Sequence, residues 1–257
     1  MTLQIDLDDI ALFALLLGAS VAAGEGLRRL GWRPESTRRV VHALVGLTTA
    51  AAPVWFDVPD GVYVLAAAFF VGNAVALARG WIPSMHAVER RSWGTVLFPL
   101  ALIAALALTW SPVADRVWAL QAAFAVLALA DPAASMAGAR WGGPGPGKTA
   151  AGSVTFAVIA FATATLALAF VGPDRGAGWV VAASLSAAAL ATVAEALGRH
   201  GWDNVWVVLA VVVALTVADG AEAGHLGVAL GLAASFGWGT WRLRALDASG
   251  ALAGSLL

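Results

Sequence analysis

The chain has 257 residues, of which 60% are hydrophobic and only 12% are charged, and its formal net charge is −1. Soluble domains carry about 25% charged residues, so this composition excludes an ordinary soluble protein and indicates a polytopic membrane protein. The sequence contains no cysteine, which excludes disulfides and thiolate metal sites.

The first apolar segment follows the acidic sequence MTLQIDLDDI, which lacks the basic region of a secretory signal peptide. We therefore expect this segment to remain in the membrane as a helix. Nine apolar segments approach the ~20 residues that a helix needs to cross a bilayer. A β-barrel would need alternating apolar and polar residues instead of these continuous runs. The nine predicted transmembrane helices are Ile10–Gly26, Val40–Phe56, Gly61–Ala78, Thr95–Trp110, Val117–Met136, Ala150–Val171, Gly178–Leu197, Val205–Ala218 and Gly224–Trp241.

Basic residues lie mainly on one side of this predicted bundle. Thirteen of the fifteen fall in loops that follow odd-numbered helices or in the C-terminal tail, and only Arg116 and Arg175 fall on the other side. By the positive-inside rule, the N-terminus is outside and the C-terminus is in the cytoplasm. We predict an all-α, multi-pass helical bundle that forms a single domain over residues 1–257 in the cytoplasmic membrane.

The first predicted cytoplasmic loop contains TRRVVHALVGL. Arg38, Arg39 and His42 are three or four residues apart and share one helix face, with Gly46 one turn deeper. A guanidinium beside an imidazole suits a nucleotide phosphate or a lipid headgroup. The alternative is an interfacial histidine that reaches water, with arginines that only mark the topology. The next cytoplasmic loop, HAVERRSWGTVLFPL, adds Arg90.

The fifth predicted helix contains a carboxylate, in the sequence ADPAAS. Asp131 precedes Arg140 by nine residues, so it lies ~13 Å deeper if the helix continues. A carboxylate at that depth is costly unless it faces water, a cation or a metal. We therefore expect Asp131 to be a carboxylate that binds a divalent metal or takes part in phosphate handling. The alternative is a helix that kinks at Pro132, with Asp131 as the cap of its second half.

The loop after this helix contains GGPGPGKT, which formally matches the phosphate-binding Walker A pattern from Gly142 to Thr149. A membrane helix replaces the strand that precedes a true P-loop, and Pro144 and Pro146 lack the backbone N–H groups that cradle phosphate. We therefore reject the match. Lys148 is still the only lysine, and it precedes a helix N-terminus that attracts anions. The alternative is a solvated lysine that only obeys the positive-inside rule.

The segment AEALGRHGWDN ends the seventh predicted helix and begins the eighth. Glu195 lies inside the seventh helix, where an ionisable group indicates a functional site. Asp203 and Asn204 stand at the start of the eighth helix, where either residue could be an N-cap.

Taken in order, these segments resemble the family of CTP-dependent lipid-alcohol kinases that includes dolichol kinase, phytol kinase and a CTP-using diacylglycerol kinase. The resemblance rests on RRVVHALVG, ERRSWGTVLFPL, LADPAASMAGARWG, GKTAAGSVTF, Glu195 and the pair Asp203-Asn204. It implies a membrane-dissolved alcohol as substrate, CTP or a related nucleotide as phosphoryl donor, Mg²⁺ as cofactor and a site that faces the cytoplasm. Phytol, a longer polyprenol and diacylglycerol all remain possible substrates.

The resemblance also implies roles for individual residues. Asp131, Lys148, His42 and Glu195 are the expected catalytic residues, and Asp131 and Glu195 the expected metal ligands. The expected partners are the lipid alcohol, the nucleotide and the bilayer, and no nucleic acid. The expected nucleotide-binding residues are Arg38, Arg39, Arg90, Gly138, Arg140, Gly142, Lys148, Thr149, Gly152, Ser153, Asp203 and Asn204.

Two other functions fit parts of the same pattern. Phosphatidate cytidylyltransferases also use CTP, and they too have an Asp-containing membrane helix followed by a glycine-rich loop with a lysine. A small-solute transporter is the alternative that is not an enzyme, since broken helices with buried carboxylates also mark transport sites. Against a transporter, the polar groups gather at one face of the membrane and no inverted repeat is evident.

Overall fold

The computed structural model describes residues 6–79, 93–111, 114–142, 148–198 and 200–220. Helices dominate these residues, with a short 3-10 turn at Ala52–Val54 and a two-stranded antiparallel pair, β1 (Trp110–Ser111) and β2 (Ala114–Asp115). The eight α-helices are α1 (Leu7–Arg29), α2 (Pro34–Ala50), α3 (Asp60–Arg79), α4 (Gly94–Thr109), α5 (Val117–Trp141), α6 (Ala150–Val171), α7 (Ala177–Leu197) and α8 (Asp203–Gly220).

The predicted all-α class is confirmed. Six of the described helices are long and apolar enough to cross a membrane, namely α1, α3, α5, α6, α7 and α8, so the chain fits a polytopic membrane protein. The helices α2 and α4 are shorter, with 17 and 16 residues. The eight helices correspond to the first eight predicted segments. The ninth, Gly224–Trp241, lies outside the described residues.

The central helix of the bundle is α5, which packs against α2, α4, α6 and α8 and is the most buried of the six long helices. Small side chains allow this close packing. A Cβ atom at Gly46 of α2 would lie 2.6 Å from the Cβ atom of Ala128. Because glycine has no Cβ, α2 can approach α5 one turn away from His42 and three residues before Asp131.

One end of the bundle, opposite the site described below, is closed by ion pairs around Asp219 in the last turn of α8. Its carboxylate accepts from Arg116 Nε at 2.9 Å and from Arg175 Nη2 at 3.1 Å. The Trp179 indole also donates to the carbonyl of Ala218 at 2.9 Å. The two arginines that the sequence assigns to the outer side therefore share one aspartate, which ties together the start of α5, the α6–α7 turn and the end of α8.

A proline inside α4 is compensated by a side chain of α3. Pro99 has no N–H group to donate to the carbonyl of Thr95, four residues earlier in the helix. The side-chain amide of Asn73 donates to that carbonyl at 2.8 Å. Backbone carbonyls inside a packed bundle are normally hydrogen-bonded, and this bond satisfies the group that the proline leaves free.

We expect Asn73→Ala to lower the free energy of unfolding by about 1 kcal/mol, the scale of interhelical hydrogen bonds in membranes. In a Pro99→Ala background, the new N–H group of residue 99 can bond to Thr95, so the same substitution should cost close to nothing. Unfolding in mixed detergent micelles with increasing dodecyl sulfate measures both costs. Equal costs in the two backgrounds would show that Asn73 does not compensate for the proline.

Candidate functional site

Polar side chains converge at one end of the bundle, where α2, α4, α6 and α8 begin and α5 and α7 end; we refer to it as the site end. Lys148 lies two residues before α6. Its Nζ atom donates to Oε1 of Glu195 at 2.5 Å and to Oδ2 of Asp203 at 3.3 Å. One ammonium group thus joins the start of α6 to the last turn of α7 and the first turn of α8.

Glu195 is the more deeply buried of the two carboxylates bound to this lysine. Only 5% of its side chain is exposed, against 22% for Asp203. Its Oε1 atom accepts from Lys148, whereas its Oε2 atom is buried and has no hydrogen-bond partner among the described residues. Buried polar atoms are normally paired, so Oε2 is an acceptor that can still receive a donor.

The charge of Lys148 is maintained by its neighbours. Burial lowers the pKa of Lys148, but the Coulomb interactions with Asp203 and Glu195 and the hydrogen bond to Glu195 outweigh burial and raise it above its ordinary value. The carboxylate of Asp131 contributes a weaker attraction. The amine is therefore protonated at neutral pH, and it loses its charge, and with it both ion pairs, as the pH rises through that raised pKa.

Asp131 lies in α5 with 30% of its side chain exposed, and it faces His42 of α2. The His42 Nε2 atom is 3.7 Å from Oδ2 of Asp131 and 3.4 Å from the carbonyl oxygen of Leu127. A carbonyl only accepts hydrogen bonds, so Nε2 must carry the hydrogen in this contact. The α5 helix continues through Pro132 to Trp141. The alternative in which Asp131 caps a second half-helix is therefore wrong.

The predicted arginines take different positions. Arg39 donates from Nε to Oγ of Ser135 at 3.0 Å, which places its guanidinium one helical turn from Asp131. Arg38 is exposed at the start of α2, and Arg140 lies 6.0 Å from the ring centre of Trp141. Arg90 lies outside the described residues. Arg39 is thus a predicted arginine that contacts α5 one turn from Asp131 without contacting Asp131 itself.

The predicted glycines surround Thr149, which caps α6 by accepting the N–H of Gly152 at 3.1 Å. Added Cβ atoms would lie 3.0 Å from Thr149 Oγ1 at Gly138 and 2.4 Å from Thr149 Cγ2 at Gly142. A Cβ at Gly152 would be 3.1 Å from a carbonyl of α5. These glycines thus allow the end of α5 to approach the start of α6. The backbone N–H of Ser153 donates to Thr149 at 2.9 Å, as the helix begins.

The turn between α7 and α8 places Asp203 beside Lys148. Gly201 has a φ of +96°, and a Cβ atom there would lie 2.4 Å from the backbone nitrogen of Gly94. Only glycine fits both requirements. The Asn204 amide donates to the carbonyl of Gly94 at 3.1 Å, and Asp203 accepts the N–H of Asn204 at 3.2 Å. Asp203 and Asn204 therefore connect α8 to the lysine and to α4.

Sequence reasoning missed Ser135 and Gly201, the residues that position Arg39 and Asp203. Both are small residues within segments that the sequence analysis singled out, and smallness alone does not distinguish a positioning contact from ordinary packing. Asp203 was predicted as a nucleotide ligand, and the structure adds that it binds the lysine. In the sequence, the only indication of this pairing is that Lys148 and Asp203, 55 residues apart, carry opposite charges.

A magnesium ion is chemically compatible with Asp131. The described residues contain no group of three or more His, Asp or Glu side chains that could hold a metal by themselves. However, Mg²⁺ in nucleotide sites is commonly bound by one or two carboxylates together with substrate phosphates. Among the described side chains, the nearest charged or titratable partner of Asp131 is the His42 imidazole at 3.7 Å. The Asp131 carboxylate is therefore available for such an ion, whereas Glu195 is bound by Lys148.

No family model, curated protein or solved structure matches this chain. The resemblance to lipid-alcohol kinases therefore rests on the ordered sequence motifs.

Proposed function

We propose that the protein is a membrane-embedded lipid kinase that transfers the γ-phosphoryl group of CTP, or of a related nucleoside triphosphate, to a lipid alcohol. The observation that carries the proposal is the presence of two groups at one end of an apolar bundle: the ion-paired amine of Lys148, and the carboxylate of Asp131, which contacts no lysine or arginine among the described residues. Phosphoryl transfer depends mainly on positioning and on neutralisation of phosphate charge. These two groups suit that requirement.

The cationic groups would bind the triphosphate. Lys148 and Arg39 supply fixed donors beside the helix ends, and a planar guanidinium can bind two phosphate oxygens at once. Asp131 would hold the magnesium ion, which when bound neutralises negative charge on the β- and γ-phosphates. His42 lies beside the Asp131 carboxylate on the side of α2, with 3.7 Å between its Nε2 atom and Oδ2.

The transfer step would form a bond from the alcohol oxygen to the γ-phosphorus and break the bond from that phosphorus to the β–γ bridging oxygen. CDP leaves with the electron pair of the broken bond. The hydroxyl proton would pass to the Asp131 carboxylate, because the His42 nitrogen that faces this carboxylate already carries a hydrogen.

The depth of the site supports a lipid substrate. Asp131 precedes the end of α5 by ten residues, which corresponds to about 15 Å along the helix. Tryptophans favour the membrane–water interface, so exposed indoles indicate where that interface lies. The exposed tryptophans at the site end are Trp32, Trp93, Trp141, Trp202 and Trp206. A site recessed below these tryptophans can meet a nucleotide from the water and an alcohol from the bilayer.

The decisive experiment supplies purified protein with magnesium, a panel of phytol, a polyprenol and diacylglycerol, and CTP labelled at the α or the γ phosphate. We expect γ-label to enter one of the lipids while CDP appears. Incorporation of α-label with release of pyrophosphate would instead identify a cytidylyltransferase. Absence of transfer to every lipid would contradict both enzymes and favour a transporter.

A further inference from the structure

We propose that Glu195 is a positioning residue that holds the Lys148 amine, and that Asp203 is the exchangeable partner from which this amine turns to a phosphate of the bound nucleotide. The identity of the phosphate rests on the proposed function, whereas the hold of Glu195 on the lysine does not. Glu195 and Asp203, which the sequence predicts as a metal ligand and a nucleotide-binding residue, thus have different roles toward the same lysine.

The two contacts of the lysine differ in length and burial. The contact with Glu195 is 2.5 Å and involves a carboxylate that is 5% exposed, whereas the contact with Asp203 is 3.3 Å and involves one that is 22% exposed. Leaving a buried charge without its partner is costly, because neither water nor another ion replaces the lost interaction. The amine therefore leaves Asp203 more easily than it leaves Glu195.

Asp203 also has compensation that Glu195 lacks. The Oδ1 atom of Asp203 accepts the backbone N–H of Asn204 at 3.2 Å, and its exposed surface can bind water. Glu195 has no described partner other than Lys148, since its Oε2 atom is unpaired. Release of the lysine thus leaves Asp203 partly satisfied and Glu195 unsatisfied.

Lys148 has the capacity to bind a phosphate while it stays on Glu195. An ammonium group has three donors, and the two carboxylates use two of them in the described structure. Its side chain is 35% exposed, so the third donor can reach a ligand. If the bond to Asp203 is exchanged, a phosphate can accept two donors from a lysine that remains anchored.

The same geometry argues against Glu195 as a metal ligand. The ammonium of Lys148 lies within hydrogen-bond distance of Oε1, and a divalent cation on the same carboxylate would meet that positive charge at close range. Asp131 attracts the same ammonium more weakly, and no lysine or arginine among the described residues contacts its carboxylate. The metal role therefore remains with Asp131.

The test uses the fact that Lys148 is the only lysine in the chain. An amine-reactive probe on the detergent-solubilised protein modifies Lys148 and the N-terminal amine, which peptide mass spectrometry separates. Only the unprotonated amine reacts, and Glu195→Gln removes a charge that favours the protonated form. We therefore expect Glu195→Gln to lower the pKa of Lys148, by on the order of one unit. Each unit raises the unprotonated fraction at pH 8.5 about tenfold, so the rate of modification should rise by about the same factor.

Glu25→Gln is the matched control, because Glu25 is also at the site end but pairs with Arg28 and Arg29. It makes the same chemical change and should leave the reactivity of Lys148 unaltered. Glu195→Asp retains the charge but shortens the side chain, so it should give a smaller increase and serves if the Gln variant does not yield a monodisperse protein. If Lys148 is modified at the same rate in all these variants and in the unmodified chain, Glu195 does not hold the lysine.

The exchange of Asp203 for a nucleotide phosphate is tested by measuring how far CTP and magnesium protect Lys148 from the amine-reactive probe. We expect Asp203→Asn to lower the CTP concentration that gives half-maximal protection, because it removes a competitor of the phosphate. Glu195→Gln should raise that concentration, because the lysine is no longer held in place. A shift in the same direction for both variants would overturn the exchange. Absence of protection in the unmodified chain would contradict the nucleotide site and the proposed function, while the Glu195 result stands separately.

Discussion

Asp131→Asn is expected to lower the rate of γ-phosphoryl transfer by roughly a hundredfold or more, the scale on which a charge-stabilising group contributes to catalysis. The substitution keeps the size of the side chain but removes the charge that would hold magnesium. Asp131 lies within a continuous α5 and has no lysine or arginine partner among the described residues. The protein should therefore still insert and fold. Transfer measured at saturating magnesium and CTP tests this expectation.

Asp174→Asn provides a control for the loss of one carboxylate. Asp174 is exposed in the α6–α7 turn at the opposite end of the bundle, so this variant should transfer phosphate at the normal rate. Thermal unfolding of both variants should begin within a few degrees of the unmodified protein. Near-normal transfer by Asp131→Asn would remove Asp131 from the reaction and leave it as a polar residue that only faces His42.

Lys148→Met should abolish use of the nucleotide and also lower the free energy of unfolding, by about 3 kcal/mol. The second effect follows because the buried carboxylate of Glu195 loses the one partner it has among the described residues. A single substitution is therefore expected to affect both activity and stability. Unfolding with dodecyl sulfate and the transfer assay measure the two effects separately.

The double variant Lys148→Met, Glu195→Gln distinguishes the two effects. Glutamine carries no charge that needs a partner, so most of the lost stability should return while transfer stays absent. Lys148→Arg retains the charge, and we expect it to keep the stability but use CTP poorly, because a planar guanidinium replaces a compact ammonium. If Lys148→Met alone is as stable as the unmodified chain, the contact with Glu195 contributes nothing to the fold.

The positions of several helices could be predicted from apolar length alone. The predicted segment Ala150–Val171 coincides with α6, because Thr149 caps its start and the apolar run ends with it. Other ends were misplaced for identifiable reasons. The predicted Val40–Phe56 is observed as Pro34–Ala50, since Pro34 suits the first turn of a helix and the chain turns at Ala52–Val54. The α5 helix also extends past Met136 to Trp141, beyond the purely apolar part.

The order of the apolar segments is enough to predict which chemical groups lie at the site end. Short connections make successive helices run in opposite directions, so Asp131, Lys148, Glu195 and Asp203 lie at the same end of the bundle. The helical period predicts the depth and the face of each side chain but not its neighbour. Only the folded structure shows that Lys148 binds residues 47 and 55 positions away, and that His42 of α2 faces Asp131 of α5. Those pairings depend on which helices pack side by side, an order that places α5 at the centre of the bundle. Contacts between helix surfaces set this order, and these surfaces are too similar in their apolar pattern to be distinguished from the sequence.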